Sequence, residues 1–149
     1  MDERLPLAVT HEVRDRCLCL HLQRAARAIA RRFDVALRPV GLTNGQYSLL
    51  MSLNRPQPPR IGDVARLLAM DRTTLTANLK PLERRGLVLA KPDPADRRSR
   101  RLELTGAGRD LLVEAVPIWR STHDEIDRLT AGADPETICR VLDDLSQPG

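Results

Sequence analysis

Basic side chains are concentrated between residues 71 and 101 of this 149-residue chain. The segment holds nine Lys and Arg residues against four Asp and Glu residues, whereas the whole chain has a formal net charge of only +4. Guanidinium and ammonium groups at this density bind phosphates through charge-assisted hydrogen bonds. A basic excess confined to one segment is typical of a polyanion-binding surface; a solvated charged face is the alternative.

Small polar side chains in the same segment follow the signal for the start of a helix. Asp71 is placed to cap a helix that ends before Gly86, and a helical wheel puts Leu75, Leu79 and Leu82 on its buried side. The opposite side carries hydroxyl, methyl and basic groups, which suit base edges in the DNA major groove and the flanking phosphates. The predicted base readers are Thr73, Thr74 and Thr76, the predicted phosphate contacts are Lys80 and Arg84, and Arg72 and Ala77 complete the set.

A basic hairpin follows this helix. Residues 87–89 and 102–104 have the apolar pattern of two strands, and the turn-rich loop KPDPADRRSR lies between them. A ribbon tipped with arginine can enter a narrow minor groove, where negative potential is concentrated. Asp96 is expected to orient the Arg98 guanidinium through a bidentate pair, and mobile surface arginines are the alternative. The predicted DNA contacts of the hairpin are Asp96, Arg97, Arg98 and Arg100.

Two shorter helices precede these elements. Thr43 and Gln46 form a capping-box pattern, and the apolar spacing of residues 61–68 predicts the short first helix of a helix-turn-helix. The order of helices, turn, helix and basic hairpin predicts a winged helix-turn-helix. Residues 43–105 are therefore the predicted DNA-binding part.

Amphipathic helices are predicted at both ends of the chain. No Gly or Pro lies between His11 and Leu37, which predicts one long first helix with an arginine-rich polar face, and residues 106–149 predict two more helices. The small DNA-binding part, residues 43–105 and here called the reading head, leaves their apolar stripes uncovered. We therefore expect residues 5–42 and 106–149 to be the dimerisation helices of a two-fold homodimer, with a monomer that folds them onto itself as the alternative. The predicted fold is mainly α with a small β-hairpin wing (α+β), in one domain over residues 1–149.

The composition argues against other classes of protein. The first residues lack the apolar core of a secretory signal, and no run approaches the roughly 18 apolar residues of a membrane span, so a cytoplasmic protein without a membrane partner is expected. There is no glycine-rich phosphate loop, no His-Glu-x-x-His and no nucleophile elbow, so neither an enzyme nor a cofactor is predicted. An interaction module that binds another protein and not DNA remains the alternative from a different class.

The central motifs resemble those of a known family. DPADRRSRRLELTGAG, after TTLTANLKPLERRGLV, resembles the wing and recognition helix of the MarR family of bacterial winged helix-turn-helix regulators, and the resemblance extends from the first helix to the last. It implies a homodimer on a pseudopalindromic double-stranded DNA operator, most often a repressor released by a small molecule or an oxidant. Arg98 resembles the wing arginine and Asp96 its orienting acid. Residues 72–80 resemble the recognition segment, in which Ala77 stands where many members have a larger polar residue.

The signal to which such a regulator responds is less evident from the sequence. A small organic effector is expected between the dimer helices and the reading head, near Trp119 and the arginines of the first helix. Cys19 resembles the reactive cysteine of the family's organic-hydroperoxide sensors, so a thiol-based oxidant sensor is the alternative. Cys17 and His21 share a helix face, but two ligands do not make a metal site, and none is predicted. Cys17 and Cys19 are expected on opposite sides of one helix, which disfavours a disulfide between them.

Overall fold

The computed structural model describes residues 4–130 and 132–146, which form seven α-helices, one short 3₁₀ helix and a two-stranded antiparallel sheet. The predicted fold class, mainly α with a small hairpin, is confirmed. The ends of the predicted domain, residues 1–3 and 147–149, and residue 131 in the last interhelical connection lie outside the described residues. In chain order the elements are α1 (Leu7–Arg16), α2 (Leu18–Leu37), the 3₁₀ helix (Arg38–Val40), α3 (Asn44–Ser52), α4 (Ile61–Leu67), α5 (Arg72–Arg84), β1 (Val88–Pro92), β2 (Arg100–Leu104), α6 (Gly106–Leu129) and α7 (Pro135–Leu145).

The predicted single helix over residues 11–37 is wrong, because the chain breaks at Cys17. This residue has an extended backbone with φ −73° and ψ 98°, and it separates α1 from α2. α1 buries none of its residues in this chain, so no buried side chain of α1 holds it in line with α2. Helical periodicity without Gly or Pro indicates helix, but it does not determine whether one ψ angle in a solvent-exposed stretch stays helical.

Each of α3, α5 and α7 begins at a side-chain cap. The Thr43 hydroxyl accepts from the Gln46 N–H at 3.2 Å and the Gln46 side chain accepts from the Thr43 N–H at 3.0 Å, which confirms the capping box. Asp71 and Asp134 cap α5 and α7 through their carboxylates. These caps satisfy N–H groups that have no partner inside the helix, so they set where these three helices start.

Leucine side chains from most elements meet in one core. Leu37 of α2, Leu49 of α3, Leu75 of α5 and Leu102 of β2 are all completely buried. The turn between α4 and α5 passes through Ala69, whose φ of 50° lies in the left-handed region that residues with a Cβ seldom adopt. This tight reversal allows α5 to cross α4 with its leucine stripe facing the core.

The hairpin is attached to the body on both sides. β1 pairs with β2 from Val88↔Leu104 to Pro92↔Arg100, and the outer edge of β2 pairs with the segment before α4 through the Leu102 N–H, which donates to the Pro59 carbonyl at 2.9 Å. Its base is therefore part of the folded body, whereas its tip extends into solvent.

The terminal helices leave large apolar side chains uncovered. Exposed residues of this kind include Leu18 and Ile29 of α2, Val113 of α6, and Val141 and Leu145 of α7. α7 buries none of its residues within the chain. Among the described residues, no helix is both long and apolar enough to span a bilayer.

Candidate nucleic-acid interface

The exposed face of α5 brings most of the predicted recognition residues together. They line a shallow depression of about 340 Å³ on the surface of the helix. Leu75, Leu79 and Leu82 are buried on the opposite side, as predicted. Gly62 of α4 leaves space for the Arg72 guanidinium, because a Cβ built there would lie 3.1 Å from its Nη2 atom. The residues that line the depression are Arg72, Thr73, Thr76, Ala77 and Lys80.

Two of the three predicted base-reading threonines use their hydroxyl protons within the helix. The Thr74 hydroxyl donates to the Asp71 carboxylate at 2.6 Å, and the Thr76 hydroxyl donates to the Arg72 carbonyl at 2.7 Å. The Thr74 hydroxyl and N–H hold the pKa of Asp71 below its ordinary value. Thr76 still lines the depression, whereas Thr74 lies at the cap and is not among its lining residues.

The tip of the hairpin differs from the expectation in how Asp96 acts. Its carboxylate accepts from the backbone N–H of Arg98 at 3.0 Å, so the predicted pair with the Arg98 guanidinium is wrong. A carboxylate two residues before an N–H closes a local turn more readily than it reaches a long side chain. The side chains of Arg97, Arg98 and Arg100 are exposed, and within residues 4–130 and 132–146 no carboxylate forms an ion pair with them.

Sequence reasoning missed the residue at the base of the hairpin. Asp93 is completely buried, and its carboxylate accepts from Arg60 Nε at 2.6 Å and from the Ala95 N–H at 3.0 Å. Arg101 Nε lies 3.3 Å from its other oxygen. Asp93 follows a proline in a turn-rich loop, where a carboxylate normally faces solvent, so only the tertiary structure reveals this cluster.

The cluster favours the charged form of the carboxylate. The hydrogen bond from the Ala95 N–H, with further contributions from Arg60 and Arg101, holds the pKa of Asp93 below its ordinary value against the opposing effect of burial. Because the ionised form is stabilised in the folded state, this contribution to stability is present at neutral pH. It is lost only as the pH falls below the ordinary pKa of an aspartate and through the lowered folded value.

A cavity of about 610 Å³ lies between α6 and the helices α3 and α4. Trp119 lines it, as predicted, and stacks near Tyr47 with ring centroids 6.2 Å apart. Burial raises the pKa of Tyr47, an effect that the charge of Arg120 opposes. Within the single chain the arginines of this cavity are Arg55 and Arg120, and those of α2 line separate surface depressions, so the expected contribution of first-helix arginines stays a prediction for the dimer.

The cysteines are free thiols in this structure. Cys19 is exposed on α2, and its sulfur accepts from Gln23 Nε2 at 3.3 Å. Cys17 lies in the extended link before α2, so the argument that both cysteines project from one helix does not hold. In the part of the chain that the structure describes, no three His, Cys, Asp or Glu side chains gather where they could hold a metal ion.

A helix-turn-helix with a polar and basic second helix, followed by an arginine-tipped hairpin, defines a winged-helix DNA-binding protein. The profile of the MarR family matches residues 42–99. The chain belongs to the MarR family of transcriptional regulators, on this match and on similarities that extend over most of its length.

Four matches illustrate this relationship. The transcriptional activatory protein BadR of Rhodopseudomonas palustris is 34% identical over 113 residues, which are 73% of this chain and 65% of BadR. The M. tuberculosis regulator MosR, in a crystal structure with DNA, is 39% identical with a TM-score of 0.78, over 88% of this chain and 94% of MosR. The repressor CouR bound to a 23-mer DNA duplex is 31% identical with a TM-score of 0.72, over 95% and 96% of the two chains. A CouR from Rhodococcus jostii RHA1, in a crystal structure with p-coumaroyl-CoA, is 25% identical with a TM-score of 0.73, over 91% and 95% of the two chains.

Proposed function

We propose that this chain is a homodimeric repressor that binds a pseudopalindromic DNA operator and is released by a small organic effector. α5 and the wing supply the DNA-facing surface, and two such surfaces related by a two-fold axis suit an operator with the same symmetry. MarR regulators are dimers, and the uncovered apolar faces of α2, α6 and α7 supply an interface for a second copy. Because its partner is chromosomal DNA, we place the protein in the bacterial cytoplasm.

The cavity beside Trp119 is the observation that carries the effector part of this proposal. Its walls come from α3 and α4 of the reading head, including Met51 and Leu67, and from Val116, Trp119 and Arg120 of α6. A ligand that fills it therefore contacts both the reading head and the helix that leads to the dimer interface. If the ligand binds one relative arrangement of these parts more tightly, it shifts the spacing of the two recognition helices.

The cavity lining favours a planar aromatic anion. Trp119 and Tyr47 offer aromatic surface, and Arg55 and Arg120 offer guanidinium groups that bind carboxylates in pairs of hydrogen bonds. The remaining wall is largely apolar, as small-molecule sites usually are. The ligand in the CouR complex, p-coumaroyl-CoA, also carries an aromatic group.

The single tryptophan of the chain allows a direct test. A DNA duplex is first selected by the full chain from a random library, and p-coumarate and benzoate are then titrated into the protein while Trp119 fluorescence is followed. We expect saturable quenching and a parallel loss of operator binding in a mobility-shift assay. Arg120→Gln should weaken both effects, whereas Arg97→Gln, on the distant wing, should leave the quenching unchanged.

The outcomes separate the parts of the proposal. A selection that yields no preferred sequence over random DNA excludes the DNA reader and favours the protein-interaction module. A selected operator that neither acid releases, together with unchanged Trp119 fluorescence, excludes an aromatic-acid effector. Transcription in vitro from a promoter with the selected operator distinguishes repression from activation. A repressor lowers the transcript level, whereas an activator, as BadR is by its name, raises it.

Oxidation of Cys19 is the second candidate mechanism of release. Its thiol is exposed, and Gln23 donates a hydrogen bond to the sulfur at 3.3 Å. A thiolate attacks one peroxide oxygen, an S–O bond forms, the O–O bond breaks, and an alcohol or water leaves. The resulting sulfenic acid is bulkier and more polar on a helix that we assign to the dimer interface.

A further inference from the structure

The buried carboxylate of Asp93 connects the wing to the body of the helix-turn-helix. One of its oxygens accepts from Arg60, which directly precedes α4, and the other lies 3.3 Å from Nε of Arg101 in β2. Arg60 and Arg101 are also neighbours in a β-bridge. A fully buried carboxylate is tolerated only with such partners, so its presence constrains both arginines.

The same residue shapes the start of the wing tip. The Asp93 carboxylate accepts from the Ala95 N–H at 3.0 Å, and the Asp93 N–H donates to the Ser99 carbonyl at 2.9 Å, which closes the loop between the strands. The Asp93 carbonyl accepts from the Asp96 N–H at 3.2 Å. Asp93 therefore determines both where the loop leaves the sheet and how its first turn is formed.

The tip lacks a comparable constraint of its own. Asp96 binds the backbone of Arg98 and leaves the guanidinium of that residue without an orienting carboxylate in the described chain. The direction in which the Arg98 side chain projects therefore depends on the conformation of the loop. The hydrogen bonds of Asp93 hold that loop at its base.

We propose that Asp93 is the positioning residue of the wing, which holds the loop at the angle that places Arg98 in the DNA minor groove. This inference rests on the proposed role of Arg98 as the minor-groove contact. Arg60 and Arg101 act with Asp93 because their guanidinium groups connect it to α4 and to the adjacent strand. No direct contact of Asp93 with DNA is involved, since the carboxylate is enclosed.

A double-mutant cycle between Asp93→Asn and Arg98→Ala tests the proposal on the selected operator. Each single variant should weaken binding about tenfold. The double variant should bind no more weakly than Arg98→Ala alone, because the wing contact can be lost only once. Glu103→Gln is the matched control: it removes an exposed ion pair with Lys91 in the same hairpin and should leave affinity within twofold of wild type.

Methylation by dimethyl sulfate adds a readout that loss of stability alone would not produce. The reagent modifies adenine N3 in the minor groove and guanine N7 in the major groove. At protein concentrations that saturate the operator, Asp93→Asn should lose protection of adenines under the wing and retain protection of guanines under α5. Arg98→Ala should give the same pattern.

Several results would overturn the inference. If Arg98→Ala weakens binding and Asp93→Asn does not, the positioning role fails while the wing role stands; if Arg98→Ala itself has no effect, both fail. Full additivity of the two losses, or equal loss of protection in both grooves, would assign Asp93 to general stability. If circular dichroism shows that Asp93→Asn is unfolded, Arg60→Gln breaks the same link from its half-exposed side, and an unchanged minor-groove pattern in that variant would refute the proposal.

Discussion

Side chains on the predicted DNA-facing surface differ in whether they already form hydrogen bonds within the protein. Thr74 and Thr76 donate their hydroxyl protons within α5, so toward DNA they act as acceptors or through their methyl groups. Thr73, Ala77 and Lys80 remain on the open face of the depression. We therefore predict that base discrimination by donor groups falls to Thr73 and the basic residues, and the base-reading role of each threonine remains a prediction.

At the scale of single residues, Cys19 also gives a prediction for oxidant sensing. Cumene hydroperoxide should lower operator affinity of the wild type at least tenfold and leave Cys19→Ser unaffected, because only a thiolate forms a sulfenic acid. Cys139→Ser, which removes another exposed thiol on α7, should respond as the wild type does. Mobility-shift assays before and after reduction measure this, and identical responses of Cys19→Ser and wild type would remove Cys19 from the sensing mechanism.

At the scale of elements, the junction between the wing and α6 is closely packed. The Thr105 hydroxyl caps α6 by accepting from the Gly108 N–H at 3.0 Å, and it donates to the Gly86 carbonyl at 2.8 Å. A Cβ on Gly108 would lie 2.3 Å from the Leu87 carbonyl oxygen and 2.8 Å from Leu104 Cδ1. These contacts connect the start of α6 to the base of the wing, so we expect the two to move together.

Gly108→Ala should destabilise the protein by about 1–3 kcal/mol, because its methyl group overlaps backbone that cannot move without disturbing the sheet. The better helix propensity of alanine, about 1 kcal/mol, offsets only part of this cost. Gly106→Ala is the matched control, since a Cβ there meets no atom within 4 Å, and it should leave stability unchanged or slightly higher. Chemical denaturation measures both variants, and equal stabilities would contradict the predicted close packing.

At the scale of the whole molecule, regulation depends on how two reading heads are held relative to each other. The cavity beside Trp119 lies between a head and α6, and the apolar faces of α2, α6 and α7 are uncovered in the single chain. The proposed effector cavity is thus adjacent to α6, which we assign to the dimer interface that sets the distance between the heads.

The selected operator should contain two half-sites about 10 bp apart, because two-fold related recognition helices enter successive major grooves on one side of the duplex. The double variant Val141→Lys with Leu145→Lys places charges on the uncovered face of α7 and should yield monomers in sedimentation analysis. Its affinity for the two-half-site operator should fall at least tenfold, since the second head no longer binds as part of the same molecule. Arg140→Lys, on the polar face of α7, should remain dimeric, and a dimeric Val141→Lys/Leu145→Lys variant would show that α7 is not required for the interface.

The sequence by itself determined the elements whose signals are local. Capping at Thr43 and Asp71, the leucine spacing of α5 and the left-handed Gly86 each depend on residues a few positions apart, so the helix-turn-helix and its wing were predictable. The basic character of the DNA-facing surface was equally evident, because charge is a property of composition.

Only the tertiary structure decided which groups meet across long separations in the chain. Asp93 pairs with Arg60, 33 residues earlier, and Arg120 joins Tyr47 at the effector cavity. Burial of a carboxylate depends on partners from other elements, and the break at Cys17 depends on the lack of packing around α1, so neither leaves a periodic signal. The Asp96 carboxylate accepts from the Arg98 N–H and does not pair with the Arg98 guanidinium. Both groups belong to the same residue, and the folded loop decides which of the two hydrogen-bond geometries forms.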